Sequence, residues 1–368
     1  MKQPVFYFEL KGTHREVGKQ LARKMGAENF RIPAPANFPM KEIQEAIELY
    51  DQYCLGIKEE LEGFAEEGKM EIEEVAFTWM SYLLPRCSGI ALLGSKCTDG
   101  HTKLARNYEF STQDEDLTLC KTAVTGKYAH IGGTVVGFGR NEGINECGLA
   151  VAMSSCGMPV SNIPEMRAPK IKGLQFWAVI RSLLDNCKNV EEALKLACDM
   201  PIAFNINLYL ADSTGRAVLL ETLDGHKSYK EISQETKENC IYATNHCVLP
   251  EMIPYEPVGM RNSIVRYEKQ KSFLESKDKV EENELKSFLT TQYPEGMSAN
   301  YYDGWFGTIK SAVMDTVEKR FSLCWFGQET NGWEDYFVTD AMEERMEEKD
   351  IIREEGNQEF FEMIAIPQ

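Results

Sequence analysis

The 368-residue sequence lacks several features that would place it in a common functional class. No apolar run approaches the roughly 20 residues that a membrane-spanning helix needs, and the N-terminus has no signal-peptide core. Basic residues are too few to balance the acidic ones, with 40 Lys and Arg against 58 Asp and Glu, so the formal net charge is −18. Nucleic acids and anionic membranes repel such a chain, and neither is expected as a partner. We therefore expect a cytoplasmic protein.

The sequence also has no glycine-rich phosphate loop, no internal repeat and no low-complexity linker. The glycine pair Gly137-Phe138-Gly139 lacks the third glycine and the following helix of a dinucleotide-binding motif. The 11 cysteines are odd in number and show no paired metal-ligand spacing, so neither a complete disulfide framework nor a metal site is expected. No cofactor is expected either, and a buried thiol is the simplest interpretation of any single cysteine.

Two short apolar segments, at residues 87–91 and 104–110, flank the turn dipeptide Asp99-Gly100. This pattern predicts a β-hairpin. Cys87 begins its first strand, and Arg106 and Glu109 lie near it on the second. A cation beside a thiol favours the nucleophilic thiolate, so the hairpin is a candidate active site.

The remaining periodicity predicts an α+β fold, with antiparallel sheets covered by helices. A capping box at Thr13 and Glu16 predicts the start of the first helix. Helices are predicted over residues 13–25, 41–64, 71–84, 174–185, 190–200, 261–275 and 282–292, with a solvated surface helix at 341–357. Further strands are predicted over residues 5–10, 134–140, 149–155, 207–211, 217–221, 241–244, 308–314 and 321–326. The first 86 residues are thus mostly helical and end at Cys87.

Several motifs in this order resemble one known family. They are Cys87-Ser88, the Asp-Gly turn followed by Arg106-Asn107-Tyr108-Glu109, Asn145-Glu146-x-Gly148-Leu149-Ala150-Val151, Thr244-Asn245-His246 and Ser263-x-x-Arg266. Together they resemble the cysteine N-terminal-nucleophile hydrolases. The nearest branch is the acyl-CoA:6-aminopenicillanic acid acyltransferase type, which is related to choloylglycine hydrolases, penicillin V acylases and acid amidases.

The resemblance implies a four-layer αββα sandwich. Residues 1–86 correspond to a helical pro-segment and residues 87–368 to the catalytic domain, with self-cleavage between Arg86 and Cys87. The implied site residues are Cys87 as nucleophile, Arg106, Glu109, Asn245 and Arg266 as further catalytic residues, and Asn145, Ser154 and Ser155 as substrate-binding residues. Relatives usually carry Asp at the position of Glu109 and Asn at that of Ser154 or Ser155. Asn245 is also a candidate oxyanion donor.

The implied activity is hydrolysis or transfer of the acyl group of a linear, non-peptide amide. The acyl group passes through a thioester on Cys87, whose free α-amine acts as the general base. Cys97 is a rival nucleophile, but it lies only nine residues before Arg106, which assigns it to the turn. Arg86 in place of a small residue favours an alternative, an unprocessed, non-catalytic binding protein. The substrate's acyl and amine groups, and whether the chain forms a homo-oligomer, stay open.

Overall fold

The computed structural model describes residues 1–26, 33–80, 86–135, 137–157, 160 and 167–367. Its α-helices are α1 (His14–Met25), α2 (Met40–Tyr53), α3 (Ile57–Gly68), α4 (Ile72–Met80), α5 (Phe176–Asn186), α6 (Val190–Asp199), α7 (Arg261–Glu275) and α8 (Glu282–Thr290). No helix within these ranges is long and apolar enough to cross a bilayer.

The strands form two large sheets and one small pair. In chain order they are β1 (Lys2–Gly12), β2 (Arg86–Leu92), β3 (Lys103–Phe110), β4 (Thr118–Val124), β5 (His130–Gly133), β6 (Glu142–Asn145), β7 (Ala150–Ser155), β8 (Ile206–Ala211), β9 (Ala217–Leu223), β10 (His226–Ile232), β11 (Cys240–Ala243), β12 (Val258–Met260), β13 (Asn300–Tyr301), β14 (Phe306–Asp315), β15 (Arg320–Trp325), β16 (Glu334–Phe337), β17 (Arg345–Asp350) and β18 (Met363–Ala365).

The larger sheet has nine strands in the order β10-β9-β8-β7-β6-β5-β4-β1-β17. The second has seven: β11-β2-β3-β14-β15-β16 in order, with β13 paired to β14. The sheets contact each other mainly where β2 and β3 meet β7 and β8. Helices α5 and α6 contact strands β6 to β9 of the first sheet, and α7 and α8 contact β11, β3 and β14 of the second. The fold is therefore mixed α/β, with the predicted hairpin at the junction of its two sheets.

The predicted hairpin is confirmed as β2 and β3. The two strands pair antiparallel, with Cys87 opposite Tyr108 and Gly89 opposite Arg106. Cys97 lies in their connection, as predicted, and forms an isolated bridge with Val280. The hairpin thus places one cysteine at the sheet junction and leaves the other in the turn.

The N-terminal segment is built into the body of the fold. Strand β1 lies inside the nine-stranded sheet, parallel to β4 and antiparallel to β17. Helix α1 begins at the predicted capping box of Thr13 and Glu16 and packs closely on α3. A Cβ at Gly18 would lie 2.0 Å from the carbonyl oxygen of Glu60, and a Cβ at Gly63 would lie 2.1 Å from that of Arg15. The two helices approach this closely because both positions are glycine.

Three predicted elements were wrong. The single helix over 41–64 is broken into α2 and α3 at Gly56, whose φ is +97°. The described part of 134–140 is a loop, because the Asp116 carboxylate accepts hydrogen bonds from Thr134 Oγ1 at 2.6 Å and from Gly137 N at 2.9 Å. The expected surface helix at 341–357 is β17, because its backbone completes the ladder along β1. The end of the helix predicted over 71–84 falls at 81–84, outside the described residues.

Candidate active site

Cys87 lies where the hydrogen-bond ladder between β11 and β2 ends. The last pair of that ladder joins Ala243 to Gly89, so the backbone of Cys87 extends past β11. At Cys87, two side chains instead of a neighbouring strand bond to the backbone. The Cys87 N–H donates to Asn245 Oδ1 at 3.3 Å, and its carbonyl oxygen accepts from Arg266 Nη1 at 3.2 Å. The nitrogen that self-cleavage would free is therefore already held by a side chain.

Arg106 connects the thiol to a buried carboxylate. Its Nη2 donates to Cys87 Sγ at 2.8 Å, while Nη1 lies 2.8 Å from Glu142 Oε2 and donates to the Asn141 carbonyl oxygen at 2.5 Å. The other oxygen of Glu142 lies 3.3 Å from Lys310 Nζ. All four ionisable groups are buried, so a row of alternating charges ends at the thiol.

The thiol is strongly desolvated, with 0% of Cys87 exposed to solvent. Burial raises the pKa of Cys87 to about 12, Arg106 opposes that shift, and Glu109 and Glu142 add to it. The uncut chain therefore holds Cys87 as a neutral thiol at neutral pH. A proton acceptor or additional positive charge is needed before it can act as a nucleophile.

Glu109 is a carboxyl group with incomplete pairing. Neither of its oxygens accepts a hydrogen bond in the described structure, although Oε2 lies 3.7 Å from Arg266 Nη1. Burial raises the pKa of Glu109 to about 7, against the opposing effects of Arg266 and Arg106. A group that titrates near neutral pH beside a nucleophile is suited to proton transfer.

Arg86, on the acyl side of the predicted cleavage site, pairs with Glu109 across the hairpin. Its side chain is half-buried. Burial and the neighbouring Arg266 guanidinium lower the pKa of Arg86 to about 10. The residue before Cys87 is thus a large cation held partly within the protein.

Asn245 has a fixed orientation. Its Oδ1 accepts from Arg266 Nη2 at 2.6 Å as well as from Cys87, and its Nδ2 donates to the carbonyl oxygen of Ser155 at 2.9 Å and to Ser155 Oγ at 3.2 Å. Both amide hydrogens are therefore used. The oxyanion role of Asn245 stays a prediction, and in this structure the amide oxygen faces the nitrogen of Cys87 while the amide nitrogen is bonded to Ser155.

Ser263 explains the spacing of two motifs. Its Oγ accepts from the backbone N–H of Asn245 at 2.7 Å and contacts Thr244 Oγ1 at 2.9 Å and His246 Nδ1 at 2.7 Å. Arg266 follows Ser263 by one turn of α7. Ser263 thus fixes the loop that carries Asn245, and Arg266, one helical turn later, supplies the guanidinium that bonds to Asn245.

The structure separates the three predicted substrate-binding residues. Ser155 contacts Asn245, whereas Ser154 Oγ contacts Tyr209 Oη at 2.9 Å and donates to the Thr244 carbonyl oxygen at 2.5 Å. Ser154 therefore supports the Asn245 loop.

Asn145, predicted as a substrate-binding residue, has its whole side-chain amide bonded to the backbone. Its Nδ2 donates to the carbonyl oxygens of Leu184 at 3.0 Å and Cys187 at 2.7 Å, and its Oδ1 accepts from the backbone N–H groups of Cys147 and Leu149, each at 3.1 Å. These four bonds use both amide hydrogens and both lone pairs of the oxygen. Asn145 fixes a turn and has no group left for a substrate.

The motifs contain no sign of Glu142, which the structure places next to Arg106. Its one sequence signal is a charge directly before the Gly143-Ile144-Asn145 run, and that signal is weak.

Among the aromatic residues near position 305, Phe306 lies under Arg266, with 4.8 Å from the guanidinium carbon to the ring centre. A cavity of about 370 Å³ between α2 and residues 168–175 includes none of the predicted site residues.

Comparison with solved structures yields weak similarities. A mutant of the conjugated bile acid hydrolase from Clostridium perfringens has a TM-score of 0.44 at 14% identity, covering 70% of this chain and 96% of that one. Penicillin V acylase from Agrobacterium tumefaciens gives 0.37 at 16%, covering 67% and 77%. The Caenorhabditis elegans ortholog of N-acylethanolamine-hydrolyzing acid amidase gives 0.45 at 14%, covering 62% and 93%. No curated protein sequence matches the chain.

The family comparison is stronger. A model of the acyl-coenzyme A:6-aminopenicillanic acid acyl-transferase family matches residues 96–330, which is more than half of the chain. The matched region contains Arg106, Glu109, Asn245 and Arg266. The family predicted from the motifs is thereby confirmed, and the chain belongs to the acyl-coenzyme A:6-aminopenicillanic acid acyl-transferase family.

Proposed function

We propose that the chain cleaves its own Arg86–Cys87 bond and then acts through Cys87 as a hydrolase or acyltransferase of linear, non-peptide amides. The geometry of Cys87 supports this proposal most directly. A guanidinium nitrogen of Arg106 lies 2.8 Å from the thiol sulfur, and Asn245 and Arg266 hold the backbone N–H and C=O of the same residue. In the described structure no histidine hydrogen-bonds the thiol, as expected for a cysteine that uses its own α-amine as base.

Self-cleavage is the first step of the proposal. Cys87 Sγ attacks the carbonyl carbon of Arg86, and the C–N bond breaks as the nitrogen takes up the thiol proton. The products are a thioester on Sγ and a free α-amine. Water then hydrolyses the thioester, which leaves Arg86 with a carboxylate and restores the thiol. The contact with Asn245 Oδ1 holds the nitrogen in place before and after the bond breaks.

Turnover uses the amine that cleavage creates. An α-amine has a reference pKa of about 7.7 to 8.0, so at neutral pH it can accept the proton of Cys87. The thiolate attacks the substrate amide, the leaving amine takes a proton from the α-ammonium group, and a thioester forms. Water or another nucleophile then collects the acyl group. Arg106 stabilises the thiolate, and Glu109 lies close enough to Arg266 and Arg106 to modulate the charge of the site.

The domain boundaries form part of the proposal. Residues 1–86 are the pro-segment and residues 87–368 the catalytic domain, and the helix and sheet contacts fit a four-layer αββα sandwich. After cleavage the pro-segment should stay bound, since β1 pairs with strands on both sides. Its α3 also supplies Glu60 to a buried ion pair with Arg181 at 2.9 Å.

Denaturing electrophoresis and intact mass measurement test the proposal. Active wild-type protein should contain one chain of residues 1–86 and one beginning at Cys87. Cys87→Ala should give a single chain without turnover, and the control Cys97→Ala should keep both cleavage and most of the turnover. Turnover is assayed with N-acyl amino acids, penicillin V, conjugated bile salts and N-acyl amines, by fluorescent detection of the released amine. Acyl-CoA donors in parallel test transfer.

Full activity from a chain shown by mass to be uncut would contradict the mechanism. A single uncut wild-type chain that binds these amides without turnover would instead favour a non-catalytic binding protein. Equal loss in folded Cys87→Ala and Cys97→Ala would remove the assignment of the nucleophile.

A further inference from the structure

We propose that Cys156, Cys247 and Glu256 form a binding site for zinc(II). One ligand atom from each residue lies within 4.8 Å of the other two, and all three side chains are buried. Their positions are far apart in the sequence, so no motif spacing indicates the site. This inference is independent of the reaction proposed for Cys87.

The fold holds the three ligands in one place through the carboxylate. Cys156 directly follows β7, and Cys247 lies in the loop after β11. Glu256 Oε1 accepts from the backbone N–H of Gly157 at 2.7 Å, and Oε2 accepts from the backbone N–H of Cys247 at 2.7 Å. The carboxylate is therefore bonded to both cysteine-bearing segments. Such bonds orient a metal ligand while leaving a lone pair on each oxygen.

The donor set determines the choice of ion. Two thiolates with one carboxylate suit a borderline-soft divalent cation, whereas magnesium and calcium prefer oxygen ligands. Tetrahedral zinc, with bonds of about 2.3 Å to sulfur and about 2.0 Å to oxygen, sets neighbouring donors roughly 3.5 to 3.8 Å apart. The ligand atoms, which lie within 4.8 Å of one another, would have to approach by up to about 1 Å to reach that geometry. Glu221 lies outside the group of atoms within 4.8 Å of one another, and its oxygens accept from the backbone N–H groups of Val248 and Leu249, so water would take the fourth position on the ion.

A second acidic group shows why this cluster is preferred. Asp99, His101 and Asp315 also lie within reach of one ion, but Lys103 Nζ is 2.8 Å from Asp99 and 2.5 Å from Asp315. The Lys103 ammonium group thus already neutralises those carboxylates. Among the described residues no cation forms a direct ion pair with Glu256, although the Arg86 guanidinium is close enough to oppose the rise that burial causes in the pKa of that carboxyl.

The proposed ion would join two segments beside the candidate active site. Cys156 follows Ser155, which accepts from Asn245, and Cys247 lies two positions after Asn245. Bound zinc would therefore fix the end of β7 to the Asn245 loop. The site is structural in this proposal, and no step of the reaction passes through it.

The test uses the full-length chain in a Cys87→Ala background, which removes the catalytic thiol as a ligand. Protein from zinc-supplemented cells, purified with a non-thiol reductant and without chelator, should retain about one zinc per chain by mass spectrometry of the metal. Cobalt(II) added to the metal-free protein should give thiolate charge-transfer absorption. Cys156→Ser, Cys247→Ser and Glu256→Gln should each weaken zinc binding by about tenfold or more. Cys120→Ser, another buried cysteine, should leave it unchanged.

Three results would overturn the proposal. The first is wild-type protein that neither retains zinc nor develops the cobalt band. The second is zinc retained equally by all the cluster variants, which would place it elsewhere. The third is a disulfide between Cys156 and Cys247, found by peptide mapping, with no metal uptake after reduction. Thermal unfolding of each variant identifies any that fails to fold, and the wild-type measurements decide the question without them.

Discussion

Two buried charged clusters, around Arg181 and around Cys87, differ in how completely their groups are paired. Arg181 donates through Nε to Asp185 Oδ2 at 2.9 Å and through its two terminal nitrogens to the two oxygens of Glu60 at 3.0 and 2.9 Å. The fork of the guanidinium thus matches the carboxylate. This pairing offsets the large cost of removing both charges from water.

The cluster around Cys87 is incomplete by comparison. Nε of Arg106, Nε of Arg266 and both oxygens of Glu109 have no hydrogen-bond partner in the described structure, whereas in the Arg181, Asp185 and Glu60 group only Asp185 Oδ1 lacks one. Unsatisfied buried groups destabilise a fold, so their concentration beside one thiol agrees with the functional role proposed for Cys87. The same residue types thus form a nearly complete set of ion pairs around Arg181 and leave several polar atoms unpaired around Cys87. The following predictions test that division.

The largest effect is expected from breaking the complete pair. Glu60→Ala should lower the free energy of unfolding by about 3 to 5 kcal/mol, because it leaves the buried Arg181 without its main partner. The measurement is urea unfolding in the Cys87→Ala background, where the chain stays in one piece. Glu62→Ala, on the same helix, removes a pair with Arg15 that is partly exposed, and should cost less than about 1 kcal/mol. Equal losses of unfolding free energy in the two variants would show that burial of the Glu60–Arg181 pair adds nothing to its contribution to stability.

The next effect concerns the nitrogen of Cys87. Asn245→Ala should slow self-cleavage by up to roughly 10²-fold, because removing the partner of a buried polar group costs about 1 to 3 kcal/mol. Asn245→Asp keeps the acceptor and adds a negative charge, which should raise the pKa of the freed α-amine and shift the pH profile of turnover upward. Cleavage is followed by electrophoresis after refolding. A folded Asn245→Ala variant that cleaves at the wild-type rate would leave the residue with a structural role only.

Local pattern predicted much of this architecture. The hairpin, Cys87 with Arg106 and Glu109, and the helix over 261–275 all depend on short-range signals: turn dipeptides, strand-length apolar runs and helical spacing. Their positions could be read from the sequence because each lies within one element. The motifs Thr244-Asn245-His246 and Ser263-x-x-Arg266 were identified by family resemblance instead, which did not predict that Ser263 contacts the Asn245 loop.

Long-range choices of partner could not be predicted in this way. The ion pair of Glu60 with Arg181 and the contact of Glu142 with Arg106 join residues whose own segments show no preference for each other. The tail at 341–357 has helix-forming glutamates, yet its backbone pairs with β1, because tertiary pairing overrides weak local propensity. The hydrogen bonds of the Asn145 amide to four backbone groups could not be predicted either, since its motif does not show which groups the amide reaches.

A smaller effect should appear in the pH dependence of stability. The pKa of Glu109 in the fold is about 7, above its usual 4.5, so the protonated form is favoured by folding. That contribution is fully present below pH 4.5 and is lost as pH rises through about 7, and it amounts to at most about 3 kcal/mol. Relative to Glu109→Gln, the uncut Cys87→Ala protein should therefore lose stability between pH 4.5 and pH 8 in urea unfolding. Parallel stability curves would show that Glu109 has an ordinary pKa.

The smallest effect separates the charge of Glu142 from its contact with Arg106. The Glu142 carboxylate raises the pKa of Cys87, whereas the guanidinium that it holds lowers that pKa. Glu142→Gln keeps an oxygen that can accept from Arg106 Nη1 but removes the negative charge, so the thiol pKa should fall by about one unit or less. Because attack needs the thiolate, self-cleavage below that pKa should become faster by up to about tenfold. Glu142→Ala removes the acceptor as well and frees Arg106 to move, so its cleavage should become slower. Opposite changes in the two variants would establish Glu142 as a positioning residue whose charge restrains the nucleophile, whereas equal slowing would mean that Arg106 depends on the full charge to stay beside the thiol.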